Sequence, residues 1–347
     1  MLIELTRRLI DIPSITGEEA EVVRFLASRL EELGYNVELQ EVEPGRANLI
    51  ATTGRPPRVV FSTHVDTVAP HIASSADGQF IYGRGACDAK GIIAAQICAA
   101  EKLRAEGIAD IGLLFVVDEE MGSRGARLAN LHPRAAECRY LVNGEPTENK
   151  LAIGSKGSLR LTITAAGRAA HSAYPEQGES AIEKLLDVLS DLRACAWPRD
   201  DLFGDTTCNI GVIAGGTQSN VIPAEARATL HFRLVTEDRA VRERLEKIVA
   251  GRARVDYLSV TPPVRMLAVE GFAQDVVRFT TDIPHLTNWG TPLLLGPGSI
   301  LDAHTARERV ARADLAEAVE LYARLARTLL ARDSDMERNM AMEGAGR

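Results

Sequence analysis

The sequence predicts an α/β protein in which a layered α/β domain is interrupted by an inserted ferredoxin-like α+β domain. Three features of the 347-residue chain lead there. Up to about Glu145, short apolar runs alternate with helical periodicity, which is the rhythm of βαβ units. Near Lys150 the pattern changes to half-exposed strands and helices in the order β-α-β-β-α-β of a split ferredoxin-like unit. After Pro262-Pro263 the first style returns, with an apolar strand at Pro292–Leu295 and a long helix from about Ala313 to Leu330. The expected boundaries are 1–154 and 264–332 for the discontinuous domain and 155–263 for the insertion, within the usual domain size. A tail over 333–347 lacks periodicity and is expected to be disordered.

Each element has its own warrant. Val22, Val23, Phe25, Leu26, Leu30 and Leu33 recur at helical spacing, and Gly34 ends that helix. Short strands follow at Val37–Leu39, Asn48–Ala51 and Val59–Ser62. Ile92, Ile93, Ala95, Ile97 and Ala99 put a helix over Gly91–Leu103, and Leu113–Val117 and Tyr140–Val142 read as buried strands. In the insertion, Leu159–Thr164 alternates as a half-exposed strand. A helix over Ala181–Leu192, strands at Cys208–Ile213 and Ala226–Leu234, a helix over Ala240–Val249 and a strand at Arg254–Ser259 complete it.

Composition narrows the function. With 46% hydrophobic and 25% charged residues the chain is ordinary globular protein. A net charge of -8 argues against a nucleic-acid partner, whose phosphates need a basic face. No run approaches the roughly 18 apolar residues of a spanning helix. Met1-Leu2-Ile3-Glu4-Leu5 has no basic stretch and no apolar signal core. Five cysteines, an odd number without a Cys-x-x-Cys pair, fit free thiols in a reducing cytoplasm. No membrane association is expected.

The chemistry-bearing residues cluster at strand ends. His64 and Asp66 follow Val59-Val60-Phe61, and Glu119 and Glu120 follow Leu113–Val117. Glu145 follows Tyr140-Leu141-Val142, His304 follows Leu293-Leu294-Leu295, and Asp88 lies in the loop Gly83–Gly91. In open α/β sheets ligands bind beyond the carboxyl ends of the strands, and mixed imidazole and carboxylate donors suit zinc. One or two metal ions in a shared site is the economical interpretation. Singly, each residue has a plainer account: a strand-end hydrogen bond for His64 and Asp66, a turn for Gly83-Arg84-Gly85, a solvated loop for Glu119-Glu120. His71, His132, His231 and His285 lack ligand-like partners in sequence and are expected on the surface or in loops.

Five motifs, taken together and in order, resemble the zinc-dependent aminoacylase and carboxypeptidase family that includes acetylornithine deacetylase and succinyl-diaminopimelate desuccinylase. They are Thr63-His64-Val65-Asp66-Thr67-Val68, Gly83 to Gly91, Glu119 to Ala126, Gly144-Glu145-Pro146-Thr147 and Ala303-His304-Thr305. The resemblance spans nearly the whole chain. It implies a dizinc hydrolase domain, cobalt being able to replace zinc, with an inserted lid and dimerisation domain. By it His64 and Glu145 hold one ion, Glu120 and His304 the other, and Asp88 bridges them through a loop with a cis Asp88–Ala89 peptide. Asp66 would accept the other ring N–H of His64, and Glu119 would be the general base. In the insertion, His171 within Gly167–Pro175 would stabilise the oxyanion, reaching a partner subunit's site. Asn220, within Gly215–Pro223, and Arg233 would bind substrate, Arg233 by holding an α-carboxylate bidentately.

Some positions depart from the family pattern. Thr63 stands where glycine is usual and Ala89 where methionine is commoner. The Gly-Thr-Ser-Asp-x-Arg segment before the last ligand is reduced to Thr280-Thr281-Asp282-Ile283-Pro284, so substrate specificity does not carry over. The expected activity is removal of an acetyl or succinyl group from a small-molecule N-acyl amino acid or diamino acid by a homodimer. The alternatives are a dipeptidase or carboxypeptidase of the same chemistry, and a non-catalytic metal-binding dimerisation module.

Overall fold

The structure is a computed structural model that describes residues 1–345, with side chains described to Asp333. It divides into two compact units: Met1–Ile153 with Met266–Asp275 and the chain from Thr281 onward, and Gly154–Arg265 with Val276–Thr280.

Along the chain the first unit gives α1 (Leu2–Asp11), α2 (Ala20–Glu32), β1 (Asn36–Glu43), β2 (Arg46–Thr52), β3 (Val59–His64), α3 (Lys90–Ala105), β4 (Ile111–Val116), α4 (Arg124–Ala129) and β5 (Tyr140–Asn143). The second unit follows with β6 (Gly157–Ala166), α5 (Ala181–Ala194), β7 (Thr207–Gly215), β8 (Glu225–Leu234), α6 (Arg239–Val249) and β9 (Arg254–Thr261). The first unit resumes with β10 (Thr291–Leu294) and α7 (Arg312–Ala345).

In the first unit the main sheet runs β1-β2-β4-β3-β5-β10, and β3 is parallel to both β4 and β5. Alternate residues of its central strands enter different cores. Val59, Phe61, Leu113 and Phe115 pack with α1, α2, α3 and α7, while Val60, Leu114 and Leu141 pack on the other face with Ala126, Ala129 and Trp289. A strand buried on both faces reads as a continuous apolar run, which is why these strands were visible in sequence. The parallel arrangement aligns the ends of β3, β4 and β5, where His64 is the last residue of β3 and the following loops carry Glu119, Glu120 and Glu145.

Two expectations change. Helix α1, not expected from sequence, forms because Leu5 and Leu9 share one face and bury it in the core. Helix α7 continues to Ala345 through most of the segment expected to be disordered. Loss of apolar periodicity removes a packing stripe, yet Met, Glu, Arg and Ala remain strong helix formers. Asp333 also ties the helix down through ion pairs to Arg58 and Arg139. Residues 346–347 of that segment lie outside the described residues.

The second unit is a four-stranded antiparallel sheet in the order β7-β8-β6-β9, with α5 and α6 covering one face. Leu159, Leu161 and Ile163 of β6, and Ala228, Leu230 and Phe232 of β8, point at those helices. Ser180 caps α5 by accepting from the Glu183 amide at 3.2 Å. The alternate residues, among them Arg160, His231 and Arg233, occupy the opposite face.

Candidate metal centre

His64 ends β3 and is buried; its Nε2 lies 2.9 Å from Asp88 Oδ1. The other Asp88 oxygen lies 3.3 Å from His304 Nε2, which is 2.8 Å from Glu120 Oε1. Asp88 thus presents one oxygen to each imidazole, the position a bridging carboxylate needs. Ligand atoms of His64, Asp88 and Glu120 all lie within 4.8 Å of one another. Glu145 is buried beside them, close enough to act on both His64 and Glu119. The Asp88–Ala89 peptide is cis.

The loops bearing these ligands are held by polar groups that are themselves fixed. The Asp66 carboxylate accepts the backbone N–H groups of Glu119 at 3.1 Å and Glu120 at 3.2 Å, and the Thr16 hydroxyl at 2.9 Å. The sequence assigned Asp66 to the His64 ring. In the structure His64 Nδ1 meets the Asp66 backbone carbonyl at 2.9 Å, with the carboxylate farther away at 3.6 Å. The carboxylate therefore does more to place the Glu119-Glu120 loop than to orient the imidazole.

Other positioning residues gave no motif signal. Asp118 adopts positive φ, 72°, and accepts from Arg124 Nη2 at 2.7 Å and Arg46 Nη2 at 3.1 Å. Arg46 in turn is paired with buried Glu19 at 2.7 Å. Burial raises the Asp118 carboxyl, but the hydrogen bonds from Arg124 and Arg46 outweigh that and hold it at about 2. Asn48 bridges the Val117 amide and the Gly125 carbonyl. A Cβ on Gly125 would lie 2.3 Å from Val117 O, so only glycine fits there. Buried Glu308 accepts from the amides of Gly85 at 2.9 Å and Asp88 at 3.2 Å, and pairs with Arg84 at 2.7 Å. Its partners are more than 200 residues away, so local sequence carries no trace of the role.

Electrostatics show what the cluster is fit to hold. Burial, then Glu145, pushes the Glu119 carboxyl well above the usual carboxylate range; burial, then Asp88, does the same to Glu145. Asp282 is buried near His64, and burial pushes its carboxyl up to about 7. The groups acting most strongly on Glu119 and Glu145 include no lysine or arginine. Hydrogen bonds to Asp88, then Glu120, push the His304 imidazole up to about 10. Buried carboxylates without counter-cations are costly, and two imidazoles among them form a donor set suited to divalent metal. The residues present fit a metal site. Cys87 belongs to the frame: it is buried, and burial, then Glu308, raises its thiol far from nucleophilic range.

In the second unit, His171 and Asn220 come together. His171 forms an isolated antiparallel bridge with Val221, and the Ser172 amide donates to the Asn220 carbonyl at 3.0 Å. Arg233 lies on β8, opposite Thr207 and Ser158. Two histidines expected on the surface have structural partners. His132 is buried against Glu38 at 2.9 Å, and His231 Nε2 lies 2.7 Å from the Ser158 hydroxyl. Glu38 lies on β1 and Ser158 on the strand beside His231, 94 and 73 residues away, so neither partner is legible from neighbours in sequence.

Two imidazoles and four carboxylates gathered at the ends of parallel strands define a metal-dependent hydrolase site. Comparisons with known proteins agree. A model of the peptidase dimerisation domain matches residues 153–257. A peptidase M20 domain-containing protein of Schizosaccharomyces pombe is 38% identical, over 93% of this chain and 84% of its own length. A probable carboxypeptidase of Paracoccidioides brasiliensis is 36% identical over the same shares. Among solved structures, the aminopeptidase PepT of Bacillus cereus superposes with a TM-score of 0.76 at 22% identity, covering 93% of this chain and 96% of that one. A dinuclear metal-binding peptidase of Bacillus subtilis gives 0.70 at 17%, covering 94% and 98%. The chain belongs to the M20 peptidase family, and is a metal-dependent hydrolase acting on amides. No helix among the described residues is long and apolar enough to cross a membrane.

Proposed function

We propose that the chain hydrolyses the amide bond of a small substrate whose leaving group is an amino acid with a free α-carboxylate, using two zinc ions. The observation that carries this is Asp88, one oxygen toward His64 and the other toward the His304–Glu120 pair. His64 and Glu145 would hold one ion, Glu120 and His304 the other, and Asp88 both; cobalt could replace zinc. When bound, the ions polarise the amide carbonyl and acidify a water. Glu119, next to ligand Glu120 and with its carboxyl raised by burial, takes the water proton and delivers it to the departing amine. Asp66 keeps that carboxylate in place through the Glu119 and Glu120 amides.

His171 would donate to the oxyanion, Asn220 would support it, and Arg233 would hold the α-carboxylate. The relatives named probable carboxypeptidases favour a peptide or other acyl-amino acid as substrate. The motif likeness to acetylornithine deacetylase and the desuccinylases favours a short acetyl or succinyl group. A hydrolysis panel of acetyl- and succinyl-amino acids, dipeptides and acyl-glutamates, run with metal analysis, separates the two. In either case Glu119→Gln should keep its metal and lose activity on the order of 10³-fold. Full turnover in that variant removes the assignment, and bound metal without any hydrolysis by the unaltered chain supports a non-catalytic module.

A homodimer joined through the second unit is part of the same proposal. The matched dimerisation domain supports it, as does edge strand β7, where Val212 and Ile213 are each 56% exposed. If His171 serves the partner's site, mixing His171→Ala and Glu119→Gln chains should restore activity that neither has alone. No recovery in subunit-exchanging dimers would place His171 in its own chain's site or outside the mechanism. Five free cysteines support a reducing, cytoplasmic setting.

A further inference from the structure

Between α1 and α2 the chain runs as a short extended segment beside the ligand-bearing loops. Pro13 disfavours helix at the residue before it, and Ile12 leaves α1 extended, with φ -90° and ψ 111°. The segment then follows the residues after β3, with a parallel bridge between Ile15 and Thr67. The Thr67 amide donates to the Ser14 carbonyl at 2.9 Å, and the Thr16 amide to the Thr67 carbonyl at 3.1 Å. Gly17, at φ 104°, turns the chain where the Glu18 amide donates to the Ile15 carbonyl at 2.7 Å.

Between Ile12 and Glu19 this segment reaches the three stretches that carry His64, Asp88 and Glu120. Toward His64, the buried Ser14 hydroxyl donates to the Val65 carbonyl at 2.7 Å. Toward Asp88, the buried Lys90 ammonium at the start of α3 donates to the Ile12 carbonyl at 2.6 Å. Toward Glu120, the Thr16 hydroxyl donates at 2.9 Å to the Asp66 carboxylate, which accepts the Glu119 and Glu120 amides. Buried Glu19 reaches that loop a second time, through Arg46 to Asp118. All of these contacts lie within the first unit. A segment that only closed the core would need apolar side chains, whereas Ser14, Thr16 and Glu19 direct polar groups at the loops.

We propose that Ile12–Glu19 is a strap that sets the spacing of these three stretches, with Ser14 and Thr16 as positioning residues, so that order in the strap and metal binding are coupled. This rests on the ligand set given above and adds the N-terminal segment to the centre. His64, Asp88 and Glu120 come from separate parts of the chain, and donors bind an ion tightly when their supports already hold them at the right spacing. One tie common to all three fixes those distances together. Such coupling is reciprocal: if an ordered strap tightens zinc binding by some factor, bound zinc orders the strap by the same factor.

Two measurements that need no turnover test this. Thr16→Val keeps the side-chain shape and removes the hydroxyl. In competition with a chromophoric chelator it should bind zinc at least about 10-fold more weakly than the original chain, and Thr16→Ser should recover most of that loss. Metal-free melts of both variants should stay within about 3 °C of the original chain. In hydrogen exchange, zinc should slow the Thr16 and Glu18 amides of the original chain by about 10-fold, relative to amides of the second unit. The slowing should be much smaller in Thr16→Val. Unchanged zinc affinity in Thr16→Val overturns the proposal, as does exchange at Thr16 and Glu18 that ignores zinc. A lower metal-free melt with no loss of zinc affinity also overturns it, leaving the segment a structural staple. Failure of zinc to bind the original chain removes the ligand set and the coupling together. If affinity and strap exchange move together but no amide in the panel is cleaved, the strap stands and the hydrolase assignment falls.

Discussion

The two units use charge in opposite ways. In the first, Glu119, Glu145 and Asp282 feel no dominant arginine or lysine, and burial raises their carboxyls above the usual range. Three carboxylates that hold the surrounding loops are paired with arginine: Asp118 with Arg46 and Arg124, Glu19 with Arg46, Glu308 with Arg84; Asp66 relies instead on backbone amides and Thr16. In the second unit, Arg160 and Arg233 share a sheet face with no carboxylate in their rows. Burying a charge without a partner is costly, so unpaired groups persist where something else supplies the partner. In the first unit, arginine pairing separates Asp118, Glu19 and Glu308 from the carboxylates whose charge a bound metal would neutralise.

The largest effect should come from converting a paired scaffold charge into an unpaired one. Glu308→Gln leaves Arg84 buried without its counter-ion and weakens acceptance from the amides of the Asp88 loop. Removing one partner of a buried pair costs about 3 kcal/mol or more. Denaturant melts should show that loss, and metal titration should show weaker binding because the loop carrying Asp88 is no longer fixed. Unchanged stability together with unchanged metal affinity would break the distinction between scaffold and ligand-facing charge.

A smaller effect should appear as a pH dependence confined to the metal-free protein. The folded-state pKa of Asp282 is raised from 3.8 to about 7, and Glu119 and Glu145 are raised in the same direction. A raised carboxyl means that the folded state binds its proton more tightly than the unfolded chain. That contribution is fully present below about pH 4 and is lost as pH rises through about 7. The metal-free chain should therefore lose about 5 °C of Tm between pH 4.5 and 7.5, whereas the zinc-loaded chain should not. Asp282→Asn should flatten part of the metal-free slope. A metal-free Tm that rises over this window would mean that the cluster is not short of cations.

How much of this was legible in sequence follows from the range of the interactions. The layered domain, the ferredoxin-like insertion and the strand-end positions of His64, Glu120 and Glu145 were visible because apolar runs and periodicity are local signals. Asp88, Glu119 and His304 were placed in the same way, their individual roles came from motif resemblance, and the structure brings Asp88 and His304 next to His64 and Glu120. The supports were not visible. Glu308, Arg46 and Asn48 act on loops distant in sequence, and the Asp66 carboxylate turned out to hold amides across 53 and 54 residues. The place of Arg233 opposite Thr207 and Ser158 depends on antiparallel register, which alternation suggests but does not number. Helix α7 ran past its expected end because periodicity reports packing, not helix propensity.

The smallest expected effect tests how local the carboxylate-holding role given to Arg233 is. Arg227 lies on the same face of β8 as Arg233, six residues away along the strand. At about 3.4 Å per residue that is roughly 20 Å, beyond the screening length of about 8 Å at physiological salt. Arg227→Gln should change KM for the cleaved amide by less than about 2-fold and stability by less than about 0.5 kcal/mol, whereas Arg233→Gln should raise KM by about 10-fold or more through loss of the bidentate contact. Lowering the salt to 10 mM, where screening extends to about 30 Å, should make Arg227→Gln measurable. An equal rise in KM from both variants at physiological salt would recast the face as a diffuse attractor of anions, leaving no particular role for Arg233 in holding the α-carboxylate.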